Sequence, residues 1–197
     1  MSVETAAGGG GGYPLRYEVE YPEQLNRWLV LVKWLLVIPH LLIVGALVTV
    51  AYVITVISFF AILFTTRYPR ELFDFVVNIY RWNANATAYF DLLRDEYPPF
   101  SWEPGQYPVT YEVDYPEQLN RWLPLIKWLL VIPHYLVLIA LGIAASVVWV
   151  IAFFAILFTA GYPRGLFDFF VGVTRWNNRV TAYVLLMRDE YPPFSLK

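Results

Sequence analysis

The chain repeats itself. Tyr17-Glu18-Val19 recurs as Tyr111-Glu112-Val113, and aligning 13–101 with 107–195 at a constant offset of 94 needs no gap. That alignment gives 60 identities over 89 positions. Such a repeat constrains the fold more than any local propensity, because whatever one copy folds into the other must fold into as well. Residues 13–101 and 107–197 therefore read as two modules, with 102–106, carrying Pro104-Gly105, as the linker. The Ser/Ala/Gly-rich stretch 1–12 has neither a basic nor an apolar signal region and reads as a flexible tail.

Each module runs through the same series. An extended lead-in, Tyr17 to Tyr21 or Tyr111 to Tyr115, reaches Pro22 or Pro116, where proline suits the first turn of a helix. A short amphipathic helix is expected from Glu23 to Ile38, with Glu23 and Arg27 spaced for an i,i+4 ion pair. Pro39-His40 and Pro133-His134 should kink the chain. Leu41 to Thr65 and Tyr135 to Thr159 follow, 25 residues each without a charge. About 20 such residues cross a ~30 Å hydrocarbon layer. A second amphipathic helix is expected from Leu72 to Arg94 and from Leu166 to Arg188, stopped by Tyr97-Pro98-Pro99-Phe100 and Tyr191-Pro192-Pro193-Phe194.

Composition agrees with lipid. Hydrophobic residues make up 58% and charged ones 15%, at a mean hydropathy of +0.49. Soluble domains run at about 45–50% and about 25%. The expected fold is thus an all-α membrane protein. Each module has a short amphipathic helix, a Pro-kinked transmembrane helix and an interfacial amphipathic helix. Trp28, Trp34, Trp82 and Tyr68 flank the apolar centres, as residues that favour the headgroup region do. One span per module would insert the two copies in opposite orientations. A reversal near Gly45 would instead give four passes, with an unsatisfied turn in lipid. Basic residues divide eight against six across the single-span topology, which leaves sidedness open.

A net charge of −2 leaves no field for nucleic acid, and the absence of cysteine removes thiolate chemistry and disulfides. His40 and His134 are the only histidines and occupy equivalent positions. Brought together by pseudo-symmetry they could relay protons or share a metal. Without an adjoining carboxylate they make a poor metal site, so no metal or other cofactor is expected. The second helix carries Asp74, Asn78, Arg81 and Asn85 in one stripe. Asp168 and Arg175 repeat it, whereas Asn78 and Asn85 become Gly172 and Arg179. Arg70–Asp74 and Arg164–Asp168 are spaced i,i+4. The stripe could line a polar path or grip a lipid phosphate; the plainer reading is the solvated edge of an interfacial helix. Arg94-Asp95-Glu96 and its repeat read as polar helix ends, and no nucleotide loop, nucleophile elbow or zinc-protease signature occurs.

The runs Pro116-Glu117-Gln118-Leu119-Asn120-Arg121-Trp122, Ile132-Pro133-His134, Tyr162-Pro163-Arg164 and Arg188-Asp189-Glu190-Tyr191-Pro192-Pro193-Phe194 resemble the DUF4389 family of bacterial membrane proteins. The likeness covers both modules. It implies a prokaryotic integral protein of the cytoplasmic membrane and carries no activity, cofactor or partner. With no catalytic constellation legible, the expected role is non-enzymatic: a scaffold or accessory subunit that contacts the bilayer and either copies of itself or other membrane proteins. Gly45, Gly142, Ala145 and Ser146 would supply small residues for helix packing. An oligomeric transporter or channel built on the inverted repeat, and a membrane-shaping protein, are the alternatives.

Overall fold

The computed structural model describes residues 12–197. Of the stretch 1–12 read as a flexible tail, 1–11 lie outside them. The fold is mainly helical; the lead-ins are extended as expected, and their pairing as strands corrects the all-α class. Leu15–Val19 (β1) and Val109–Val113 (β2) pair as a two-stranded antiparallel ribbon. The register sets Tyr17 against Tyr111 and Arg16 against Glu112. Tyr17 and Tyr111 are repeat equivalents, so a pseudo-twofold axis perpendicular to the ribbon passes through that pair. Side chains alternate across a strand. Leu15, Tyr17, Val109 and Tyr111 are buried on the inner face, and Arg16, Glu18 and Thr110 are exposed on the outer one.

The short first helix is also corrected. Residues 23–28 are not helical; a single turn of 3-10 helix, Leu29–Leu31, precedes Lys33–Leu36 (α1). The Asn26 carboxamide oxygen accepts the N–H groups of Trp28 and Leu29, at 2.9 and 3.2 Å. Such a local turn competes with helix, and the Glu23–Arg27 pair is absent from the ion pairs of the described residues. Ile38–Thr65 (α2) then begins with Pro39 in its first turn, so proline starts this helix instead of kinking it. The second module has Pro124–Leu130 (α4) and Ile132–Thr159 (α5). At 28 residues, ~42 Å, α2 and α5 are long and apolar enough to cross a membrane.

Each long helix stops at a left-handed residue, Thr66 (φ 61°) or Ala160 (φ 60°). The carbonyl of Thr66 accepts the Leu119 N–H, and that of Ala160 the Leu25 N–H, both at 2.8 Å. The end of each apolar helix thus lies beside the start of the other module. Consistently, Thr55, Val56, Phe59 and Phe60 of α2 share a groove with Pro124, Lys127 and Trp128 of α4. It follows that α2 and α5 run in opposite directions about the axis.

Arg70–Phe90 (α3) and Arg164–Val184 (α6) return along α2 and α5. The ribbon lies over them crosswise, β2 on α3 and β1 on α6. Along the axis there are therefore three layers: ribbon, then α3 with α6, then α2 with α5. Tyr111 stacks on Tyr80 of α3 with centroids 6.3 Å apart, linking the first two. The last layer buries only a stripe, including Val44, Ala51, Ile54 and Ile62, and leaves large side chains bare, Phe64 at 76% and Phe158 at 71%.

Candidate functional site

The histidines do not meet. Each sits near the start of its own apolar helix, fully buried, stacked on Phe100 or Phe194 with centroids 4.0 and 4.1 Å apart. The Nδ1 atoms of His40 and His134 accept the indole N–H groups of Trp82 and Trp176, both at 3.0 Å. The bonding is confined to one module in each case. Among the described residues no group of three metal-ligating side chains forms.

At Arg81 and Arg175 the stripe on the second helix faces the ribbon. Arg70 pairs with Asp74, and Arg164 with Asp168, at 3.0 Å on the surface. Arg81 turns away from Asp74 and donates to the Asn78 oxygen (2.7 Å), the Tyr111 carbonyl (3.3 Å) and the Trp102 carbonyl (3.0 Å). Arg175 donates to the carbonyls of Tyr17 (2.8 Å) and Leu196 (3.0 Å). These arginines fasten the crossed strands to the helices.

Two buried lysines do comparable work at the helix starts. Lys33 Nζ lies 2.7 Å from Asp95 Oδ1, donates to the Arg94 carbonyl at 2.6 Å and sits 5.0 Å from the Tyr89 ring centroid. Lys127 repeats this with Asp189, the Arg188 carbonyl and Tyr183. Burial lowers both lysine pKa values, and the facing carboxylates work against that shift. α3 and α6 stop at Phe90 and Val184, short of the expected Arg94 and Arg188, so Arg94-Asp95-Glu96 and its repeat lie beyond the helices and anchor the segment ahead of each apolar helix.

Asp91 has no part in these locks. It caps the C-terminus of α3, is partly buried, and among the described residues accepts no side-chain hydrogen bond and forms no ion pair. It stands at the junction of two adjoining grooves, of about 420 and 290 Å³, that share Asp91, Gly142, Ala145 and Phe170. Trp149 of α5 stacks on Phe90 at 6.3 Å along the first groove. Asn83, Thr87 and Asn178 line the second. Desolvation raises the Asp91 carboxyl to about 7. Comparing the copies is the sequence signal that could have found it, because the equivalent of Asp91 is Leu185.

These features define a duplicated, mainly helical protein, apolar on one face and charged on the other, with a partly buried, unpaired carboxylate, Asp91, that the second module does not repeat. The profile of the family described as "Domain of unknown function (DUF4389)" matches residues 27–101 and 122–195. The chain belongs to that family and carries its domain twice. No curated protein and no solved structure matches it.

Proposed function

We propose that the chain is a non-enzymatic integral membrane protein, a scaffold or accessory subunit, seated by α2 and α5 in one leaflet of the bilayer. The observation that carries this reading is the layering along the pseudo-twofold axis. Every charged side chain lies outside α2 and α5, and the axis leads from a charged ribbon to an apolar layer. If α2 and α5 instead crossed the bilayer in opposite directions, the axis would lie in its midplane. Arg16, Glu18 and Glu112 would then face hydrocarbon, at ~2.5–3.5 kcal/mol for a charge at that depth even on lenient scales. The open edges of the ribbon would add unsatisfied backbone groups. Laid flat, a layer one helix thick, ~10 Å, fits within half of a ~30 Å core. Trp28 and Trp128, exposed at 75% and 67%, flank that layer. The seat leaves the ribbon face free in water for a protein partner.

The opposed directions of α2 and α5 favour a second reading, a transporter built on an inverted repeat, in which the charged ribbon faces of several copies enclose an aqueous path. Labelling separates the two. The sequence has no cysteine, so Gln24→Cys and Gln118→Cys each introduce a single exposed thiol at opposite ends of α2. In sealed vesicles a membrane-impermeant thiol reagent should reach both or neither. Reaction of one with protection of the other would overturn the one-leaflet seat.

A further inference from the structure

We propose that the groove at Asp91 binds one amphiphilic cation, with an amine or quaternary ammonium headgroup against the carboxylate and its alkyl tail along α5. The site is negative twice over. Asp91 brings a carboxylate with no counter-charge, and it sits at the C-terminal end of α3, where the helix dipole is also negative. The groove lining supplies no basic side chain to neutralise it. Phe90 and Trp149 set two aromatic rings beside it, and such rings favour cations. An anion would meet repulsion here. A metal ion would find one carboxylate and too few further ligands.

The rest of the groove is shaped for a chain. It has the size of small-ligand pockets, ~300–1,000 Å³, and its first part is walled by Gly142, Ala145, Ser146 and Val150 of α5. Ser146 and Val150 are exposed on the apolar flank, so a tail enters from the hydrocarbon side while the headgroup stops at Asp91. A Cβ added at Gly142 would meet nothing within 4 Å, which marks open space beside the helix. The pseudo-symmetric mate lacks these properties. Leu185 stands there for Asp91, Val48 for Gly142 and Tyr52 for Ser146. A structural need common to both modules would have kept the two alike, so the divergence points to a ligand on one side alone.

Entry of the tail from lipid rests on the seating proposed above; the headgroup site does not. The test is calorimetric titration of the full chain in neutral maltoside micelles at pH 8 with dodecyltrimethylammonium, against uncharged dodecyldimethylamine oxide. We expect saturable 1:1 binding, at least about tenfold tighter for the cation. Asp91→Asn should make the two ligands equal, and Ser146→Tyr should abolish binding of both by filling the tail channel. Equal affinities for the native chain, a cation preference that survives Asp91→Asn, or no saturable binding would each overturn the proposal. Thiol labelling from opposite sides alongside tenfold selectivity would remove the one-leaflet seat and leave the headgroup site standing.

Discussion

The indole N–H of Trp82 points at Nδ1 of His40, 3.0 Å away, and this fixes the chemistry of the histidine. An indole nitrogen can only donate. Nδ1 must therefore be the acceptor, and the imidazole is neutral with its proton on Nε2. The same holds for Trp176 and His134. Nitrogen NMR of labelled protein should show both histidines as this one tautomer at neutral pH. Trp82→Phe should cost about 1–3 kcal/mol by leaving Nδ1 buried and unsatisfied, read as a lower unfolding midpoint; metal addition should leave the histidine spectra unchanged.

Lys33 and Asp95 form the buried counterpart of a surface ion pair, and their removal should not be additive. Asp95 also accepts the backbone N–H of Asn26, so the carboxylate ties the turn before α1 to the segment after α3. Breaking a buried pair from one side strands the other charge, at about 3–5 kcal/mol, whereas apolar replacement of both is often neutral. Lys33→Met and Asp95→Leu alone should each lower the melting temperature in detergent. The double variant should recover most of the loss, and simple additivity would show that the pair carries no coupling.

The apolar helices and the repeat were legible because both are written locally, in an uncharged run and in a fixed offset. Their C-terminal ends, Thr65 and Thr159, fall where the uncharged run stops; what was not legible is the cap, because Thr66 and Ala160 adopt left-handed backbones that favour glycine. The ribbon was hidden for another reason: Tyr17 finds its partner 94 residues away, and a pentapeptide shows extension without showing what it pairs with. Spacing placed Asp74 and Arg81 on one helix face, yet it could not reveal that Arg81 would turn to the carbonyls of Tyr111 and Trp102. Asp91 was overlooked because its character lies in what surrounds it, and most of that comes from α5 and α6.

Asp91 should make stability fall as pH rises. Its carboxyl titrates at about 7 in the folded chain, against an ordinary value of 3.8. Between those values the unfolded chain has lost the proton and the folded chain has kept it. Stability from this group is therefore full below about 4, declines toward 7 and stays low above. The other titratable groups that feel Asp91 are the phenols of Tyr17 from β1 and Tyr162 after α5, raised chiefly by burial. The side chains lining the groove from α5 and α6 are neutral. Asp91→Leu should raise the melting temperature at pH 8 by roughly 2–4 °C for each kcal/mol of desolvation relieved. The gain should shrink toward zero at pH 4; a gain independent of pH would contradict the assignment.

Gly172 replaces Asn78 in the second copy for a steric reason. A Cβ there would lie 2.9 Å from both the Cβ and the carbonyl oxygen of Leu196. That carbonyl is held by Arg175 at 3.0 Å, so the segment cannot move away without losing the bond. Gly172→Asn should destabilise the chain by about 1–3 kcal/mol, as overpacking does. Ending the chain at Ser195 should make the same substitution nearly silent in thermal melts, and an undiminished penalty would place the clash elsewhere.

The ribbon gives the most direct test of the pseudo-twofold arrangement. Arg16 and Glu112 face each other across it as an exposed ion pair. Directly opposed residues of antiparallel strands have Cα atoms ~4.5–5.5 Å apart, within the ~4.4–6.8 Å span of disulfides. Arg16→Cys with Glu112→Cys should therefore oxidise within one chain, with no native cysteine to compete. A link closing a loop of nearly 100 residues should stabilise by up to ~4.7 kcal/mol through the unfolded state, and surface placement keeps the core unchanged. The oxidised double variant should run faster on a denaturing gel, return to normal mobility with reductant, and melt higher than its reduced form. Links between chains instead would mean that the ribbon joins two molecules, with β1 of one copy on β2 of another. The crossed hydrogen bonds at Ala160 and Thr66 would then have to form between chains as well.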